Sequence, residues 1–442
     1  MCPTTTISMP SGELGARRSS VFDELGDGVM ILPSAPVQHS SRDTERPYAP
    51  DRELFYLTGL TEPGCVAVLR GGSEPRLEIF ARPRDADAEL WSGPRLGLDG
   101  VQSLSGADEV HPIQELASQL PAMLGDADRI HVRLGCEREI DDLVIGALGT
   151  ARARGPRRGT GPRGVTDPGE ILDELRLVKS AHEVQVIREA CRVTMDGHRA
   201  AARAIGTGVG EWVVEAELER AFRAAGAVGP GFDSIVGGGE NACVLHYVAN
   251  DATIPDGGLV LVDAGAEYGL YHGDVTRTFP SNGRFSDTQR AVYEIVDRAR
   301  RAAIAAVQRG ATIGDVHDAS TRMLAAGLID LGVVSGDLDQ VLEQHLHRDF
   351  FPHQTSHWLG LDVHDPGDYE RHGTSRVLEA GMVFTVEPGL YFRPALCRDR
   401  AETWSGIGVR VEDDVVVTED GAEVLTSDLP AAIDEVEGLL GR

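Results

Sequence analysis

The chain has 442 residues, with 42 Lys and Arg against 70 Asp and Glu, for a formal charge of −28. That length holds two or three domains with ample core. The acidity excludes the basic footprint of a nucleic-acid binder and reads as a solvated surface, with attraction of cationic peptide N-termini as a second reading.

The first 20 residues are polar and are expected to be a flexible start, without an apolar core of signal-peptide length. No apolar stretch approaches the roughly 18 residues needed to span a bilayer. Six cysteines (Cys2, Cys65, Cys136, Cys191, Cys243 and Cys397) are scattered without CxxC spacing and read as reduced thiols. The expectation is a soluble cytoplasmic protein with no membrane or nucleic-acid partner.

Residues 21–150 alternate short apolar runs with helix-like segments and read as an α/β domain. Strands are predicted at 28–32, 65–69 and 77–80, and a helix at 113–124 with Pro121 inside it. Residues 151–166 are rich in Arg, Gly and Pro and read as a linker or exposed loop rather than a nucleic-acid tail. Residues 167–442 form the second domain. It opens on one long predicted helix, capped by Asp167 with Pro168 in its first turn, in which Leu172, Leu175, Val178, Val184, Ile187 and Ala190 recur. Further helices are predicted at 210–225 and 286–310, and β-rich segments at 242–248, 259–264, 267–279, 382–387 and 408–417. This order implies an α+β domain with an antiparallel sheet. No sequence repeat is evident.

Five residues stand out within it. Asp263 ends the apolar run 259–262, and Asp274 follows eleven positions later; antiparallel pairing puts two such side chains on one face. Glu387 and Glu412 sit in otherwise apolar, strand-like runs, where an unpaired carboxylate is costly unless a cation meets it or it is protonated. His357 lies in the segment 353–365, which holds His353, His357 and His364 and whose alternation suggests extended chain. Four carboxylates and an imidazole, if they converge, suit two hard or borderline divalent ions. The competing reading is an Arg410–Glu412 ion pair with no metal. His345 and His347 read as solvated residues of a helix, and His246 as a structural residue after a Gly-rich stretch.

The strings GGGENACVLHY, LVDAGAEYGLYHGDVTRTFP, HWLGLDVHD, TVEPGLY and GVRVEDD resemble the pita-bread metallopeptidases, and among them the aminopeptidase P (Xaa-Pro aminopeptidase) family. The N-terminal strings RDTERPY, FYLTGLTEP and ELWSG are similar to the start of that family. The resemblance spans about Val21 to Leu425. It implies an α/β N-terminal domain plus an α+β pita-bread catalytic domain. It also implies two divalent ions, usually Mn²⁺ with Co²⁺ or Zn²⁺ as alternatives. Asp263 would bind one ion, His357 and Glu387 the other, and Asp274 and Glu412 would bridge them, with a bridging hydroxide as nucleophile. His246 and His364 would move protons or orient substrate, and His353, Arg410 and Tyr391 would surround the proline ring. Asp43 and Trp91 match N-domain residues that reach a neighbouring subunit's site in oligomeric members, so a homo-oligomer (dimer or tetramer) is expected.

The implied activity is removal of the first residue from peptides with proline second. Rival readings are an Xaa-Pro dipeptidase and a non-catalytic binding protein on the same fold. Gln354 departs from the family, which commonly has a small residue there.

Overall fold

The computed structural model describes residues 9–125, 127–154, 161–397 and 402–441. The chain divides into two units, one ending at Leu175 and the other beginning at Arg176. The first holds a six-stranded sheet in the order Glu109–Pro112, Arg76–Ala81, Val66–Arg70, Val29–Pro33, Ile130–His131, Val165–Thr166. Its three central strands pair antiparallel and its outer pairs are parallel. The central strands are buried along nearly their whole length, as expected of a sheet covered on both faces.

Three sequence expectations change here. The start of the chain is helical from Ser11 to Leu25, not flexible; residues 1–8 lie outside the described residues. Leu14, Arg17, Val21 and Leu25 recur at helical spacing and are all buried. Interspersed Gly and Ser hide that stripe from a reading by polarity. Arg17 donates to the Tyr56 carbonyl at 2.9 Å and lies 4.0 Å over the Tyr56 ring.

The segment at 151–166 is not simply a linker. The helix Arg138–Arg154 runs into it, and Val165–Thr166 adds an edge strand to the sheet. Its residues 155–160 lie outside the described residues. The unit boundary falls after Leu175 instead. The single long helix predicted from 167 is two, Gly169–Leu177 and Ala181–Ala204. The break has a local cause. Ser180 accepts from the Glu183 N–H while the Glu183 carboxylate accepts from the Ser180 N–H, a reciprocal cap that starts a new helix.

In the second unit one order of elements occurs twice. The helices Ala181–Ala204 and Glu211–Ala224 precede the antiparallel strands Ile235–Gly238, Leu259–Ala264 and Val275–Pro280. The helices Asp287–Ala306 and Ile313–Asp330 precede Val383–Val386, Asp413–Thr418 and Gly421–Val424, also antiparallel. A two-stranded ribbon, Gly389–Tyr391 with Gly408–Arg410, completes the β structure near the site. The predicted strand at 242–248 is absent: Gly239–Cys243 is a 3-10 turn followed by irregular chain. His347 is buried in a 3-10 turn rather than solvated on a helix, and burial lowers its pKa.

His198 is fully buried in the helix Ala181–Ala204, with Nε2 at 3.1 Å from the Ala264 carbonyl. Burial pushes its pKa down to about 4, Arg277 lowers it further and Asp263 opposes. The unfolded chain therefore binds a proton that the folded chain refuses, so stability falls as pH drops below about 6.5. From pH 8 to pH 5 this group alone removes about 2 kcal/mol. Urea unfolding of the protein and of His198→Gln across that range checks it: the acid loss is smaller by that amount in the variant.

Candidate metal centre and active-site cavity

Asp263 lies next to the end of the strand Leu259–Ala264, directly opposite Thr276. Asp274 precedes the partner strand and is two positions from Thr276, so it shares the face of Asp263. A short hairpin, Ala266–Tyr268 with Tyr271–His272, joins the two, turning at Gly269 and Leu270, which both have positive φ. Glu387 follows the strand Val383–Val386, and Glu412 sits where the chain passes from Gly408–Arg410 to Asp413–Thr418. His357 comes from the segment 353–365. Residues 355–359 of that segment are extended and pair antiparallel with the strand Val383–Val386, and the chain departs from extended geometry from Gly360 onward. It turns tightly, with Gly360 N–H to the Asp362 carbonyl and Asp365 N–H to the Trp358 carbonyl.

The five converge. Ligand atoms of Asp274, His357 and Glu412 all lie within 4.8 Å of one another. His357 Nε2 is 3.4 Å from Asp274 Oδ2 and 3.6 Å from Glu387 Oε1. His357 Nδ1 lies 3.1 Å from the Trp358 carbonyl, which assigns the ring proton to Nδ1 and turns the Nε2 lone pair towards the carboxylates. A lone pair facing two anions calls for a cation between them. Asp263 Oδ1 and Asp274 Oδ1 are buried with no hydrogen-bond partner among the described residues. Burial and then Asp263 hold the Asp274 carboxyl well above its usual pKa, and burial and then Asp274 do the same to Glu412. Burial also raises Glu387. The residues present therefore fit divalent metal.

The Arg410–Glu412 ion pair does not form. Arg410 instead pairs with Asp263, and its Nη1 donates to the Tyr391 hydroxyl at 2.8 Å and its Nε to Thr276 Oγ1 at 3.0 Å. Thr276 Oγ1 in turn donates to Glu412 at 2.6 Å. The Tyr391 hydroxyl meets His353 Nε2 at 2.9 Å, and His353 Nδ1 meets the Gln354 carbonyl at 2.7 Å. Burial, then Arg410, push His353 down to about 3, so it is neutral. With Nδ1–H donating to the carbonyl, Nε2 accepts from Tyr391. One relay thus runs from Asp263 through Arg410 and Tyr391 to His353.

These groups line a cavity of about 460 Å³. Its wall also includes His246, His364 and the apolar side chains of Phe232, Ile235, Leu245, Val248 and Val363. The His364 ring stands 4.4 Å from that of His357, edge to face, and burial lowers its pKa. His246 and His364 are exposed to the cavity. Asp43 and Trp91 belong to the N-terminal unit, where both are exposed, and neither lines this cavity.

Sequence reasoning missed the residues that brace the site. Asp414 Oδ2 accepts from the Asp274 N–H at 2.9 Å and from Cys191 Sγ at 3.2 Å. Asp365, beside His364, is gripped by Arg176 at 2.7 Å and Lys179 at 2.9 Å, all three buried. Their sequence separations of 186 and 189 leave no local signal. A second acidic cluster, Glu78 with Glu109 and His111, differs in kind. Arg70 pairs with Glu78, so that charge is already met within the protein.

Residues 185–419 match the model of metallopeptidase family M24, and residues 15–132 that of the aminopeptidase P N-terminal domain. The Xaa-Pro aminopeptidase of Escherichia coli K12 is 38% identical over 431 residues, 97% of each chain. The solved proline aminopeptidase P II from Yersinia pestis superposes with a TM-score of 0.93 at 39% identity, covering 98% of this chain and 100% of that one. A zinc-substituted E. coli aminopeptidase P in complex with product matches at 0.93 and 38%, covering 98% and 99%. The second unit and the N-terminal α/β unit are thus each matched by a family model, and both models describe peptidases of one kind. The chain belongs to metallopeptidase family M24, in its aminopeptidase P branch, with an α/β N-terminal domain and a pita-bread catalytic domain.

Proposed function

We propose that the protein is a metal-dependent exopeptidase that removes the first residue from peptides with proline in second position. The observation that carries the reading is the convergence of four carboxylates and the His357 lone pair on the floor of an open cavity. In the proposed division of roles Asp263 holds one ion, His357 and Glu387 the other, and Asp274 and Glu412, whose oxygens lie within 4.8 Å of each other and of a His357 ring nitrogen, serve both. Divalent ions bound there would polarise the scissile carbonyl and supply a strongly acidified water. Carboxylates with one imidazole suit Mn²⁺, with Co²⁺ and Zn²⁺ as alternatives.

The chain's own groups do the rest. Arg410 holds Asp263 and, through Tyr391, the orientation of His353. His364, neutral near pH 7, can donate to the oxygen that gains charge as the peptide carbonyl is attacked. His246, on the same cavity wall, orients the substrate's first residue. Proline has no amide N–H. The apolar side chains in the cavity wall, Phe232, Ile235, Leu245, Val248 and Val363, suit a ring that brings no N–H to be satisfied, which would favour proline. Leu90 and Trp91 are 82% and 89% exposed, which supports an assembly of copies in which Trp91 and Asp43 meet a neighbour. The five described cysteines are unbridged, which suits a reducing cytoplasm. No described helix is long and apolar enough to cross a membrane.

A peptide panel with added Mn²⁺ tests the reading. Tripeptides with proline second are cleaved after the first residue, and their proline-to-alanine analogues are poor substrates. Cleavage of Xaa-Pro dipeptides alone would make the protein a dipeptidase. Sedimentation of the same preparation tests the assembly, which a monomer at micromolar concentration rejects.

A further inference from the structure

Beside the metal cavity lies a second hollow of about 300 Å³, lined by Ile313, Gly314, His317, Asp318, Gln354, Thr355, Ser356, Tyr369, Glu370 and Ser375. Gln354 and Ser356 belong to the walls of both. They flank the short run between His353, beside the expected proline ring, and His357. This shared rim gives a peptide held in the metal cavity by its amine end a path into the second hollow.

The rim is built for a polar ligand. Ser356 is 9% exposed, yet its Oγ has no hydrogen-bond partner among the described residues. A buried hydroxyl left unmet is costly, and a ligand that hydrogen-bonds it relieves that cost. The Gln354 side chain is exposed and its carboxamide, two donors and an acceptor, is engaged by no described side chain or backbone group. Together they match the carbonyl and N–H of a peptide amide.

The hollow behind the rim has its own electrostatics. Asp318 and Glu370 supply two carboxylates, and no Lys or Arg lines it. Burial lowers the pKa of His317, whose Nδ1 sits 2.9 Å from Thr355 Oγ1, so that ring adds no positive charge near pH 7. Tyr369, 41% exposed and stacked on Trp358 at 5.3 Å, offers a fixed aromatic face to an aliphatic stem or a cation.

We propose that this hollow takes the side chain of the third substrate residue, that Gln354 and Ser356 bind the amide following proline, and that a basic third residue is favoured. The inference rests on the Xaa-Pro reading above. It gives Gln354 a role in recognising peptides longer than two residues, since a dipeptide has no such amide.

The test compares Ala-Pro-Arg-amide, Ala-Pro-Ala-amide and Ala-Pro-Glu-amide with the Mn²⁺-loaded full chain. The Arg peptide exceeds the Glu peptide in kcat/KM by about ten-fold, mainly through KM, as two partly solvated carboxylates would give. The double variant Asp318→Asn/Glu370→Gln compresses that ratio to about two-fold at unchanged metal content. Gln354→Ala raises KM for all three peptides. Equal kcat/KM for Arg and Glu peptides, or a ratio the double variant leaves intact, overturns the subsite and leaves the Xaa-Pro reading standing. Failure on every proline peptide with cleavage of Ala-Ala-Arg-amide overturns that reading, and the subsite with it.

Discussion

Replacing Asp274 or Glu412 by Ala lowers kcat at least about 10³-fold with saturating Mn²⁺, and abolishes the gain in thermal midpoint that Mn²⁺ gives the parent. Groups that merely orient a ligand are typically worth about 10–100-fold in metal affinity. These two carboxylates stand closer to the reaction than that, because they are proposed to hold both ions and their oxygens lie within 4.8 Å of each other and of a His357 ring nitrogen. Two readouts separate lost metal from lost folding. Without metal, the cluster is a liability, since burial and mutual repulsion hold both carboxyls well above their usual pKa. Deleting one carboxylate relieves that repulsion, so the metal-free variant melts no lower than the metal-free parent. With metal, only the parent is stabilised, by about 2.7 kcal/mol at a hundred times the dissociation constant. Near-normal turnover by either variant at saturating Mn²⁺ would remove these residues from the proposed bridging role.

Asp263, Glu387 and Glu412 were legible because each carboxylate ends or interrupts an apolar run, which local physics disfavours without a partner. The pairing of Asp263 with the strand after Asp274 followed from spacing alone, and the register bears it out. The helix Asp287–Ala306 was legible in its periodicity. The helix Ile313–Asp330 was overlooked although Thr312 and Asp315 form a capping box that the sequence displays. Other features had no local signature. The turn that presents His357 and His364 is closed by Asp365, whose partners Arg176 and Lys179 come from the start of the unit. Alternation of Leu361 and Val363 reads as extended chain, yet the ion pairs of Asp365 dictate otherwise. Arg410 was expected near the proline ring, and its guanidinium also joins Asp263, Tyr391 and Thr276. Glu412, two positions on, was the more obvious partner, but Asp263 on the strand Leu259–Ala264 takes the guanidinium instead.

Arg277→Ala lowers unfolding stability by about 3–5 kcal/mol and weakens metal binding, although Arg277 touches no substrate. Its guanidinium is wholly buried, and all its nitrogens are engaged. Nε donates to the Pro430 carbonyl at 2.8 Å. Nη1 donates to the Thr276 and Glu412 carbonyls at 3.0 and 2.6 Å. Nη2 donates to Asp413 Oδ1 and the Leu429 carbonyl, both at 2.8 Å. One side chain therefore ties the strand after Asp274 to the backbone of Glu412 and to the C-terminal segment. Removing it strands the Glu412, Leu429 and Pro430 carbonyls, while that of Thr276 still accepts from the Glu412 N–H, and it leaves Asp413 with Arg300 and Thr426 alone. Lysine has three donors on one nitrogen and cannot reproduce a planar fork, so Arg277→Lys recovers little. Urea unfolding of the metal-free proteins reads the stability loss, and Mn²⁺ titration reads the shift in affinity. A double variant, Arg277→Met/Asp413→Leu, regains part of the stability because no buried charge is left short of a partner, but it does not regain affinity, since the Glu412 carbonyl stays unheld. Full recovery of Mn²⁺ affinity in that double variant would show that Arg277 serves only to neutralise Asp413, and that the position of Glu412 is set elsewhere.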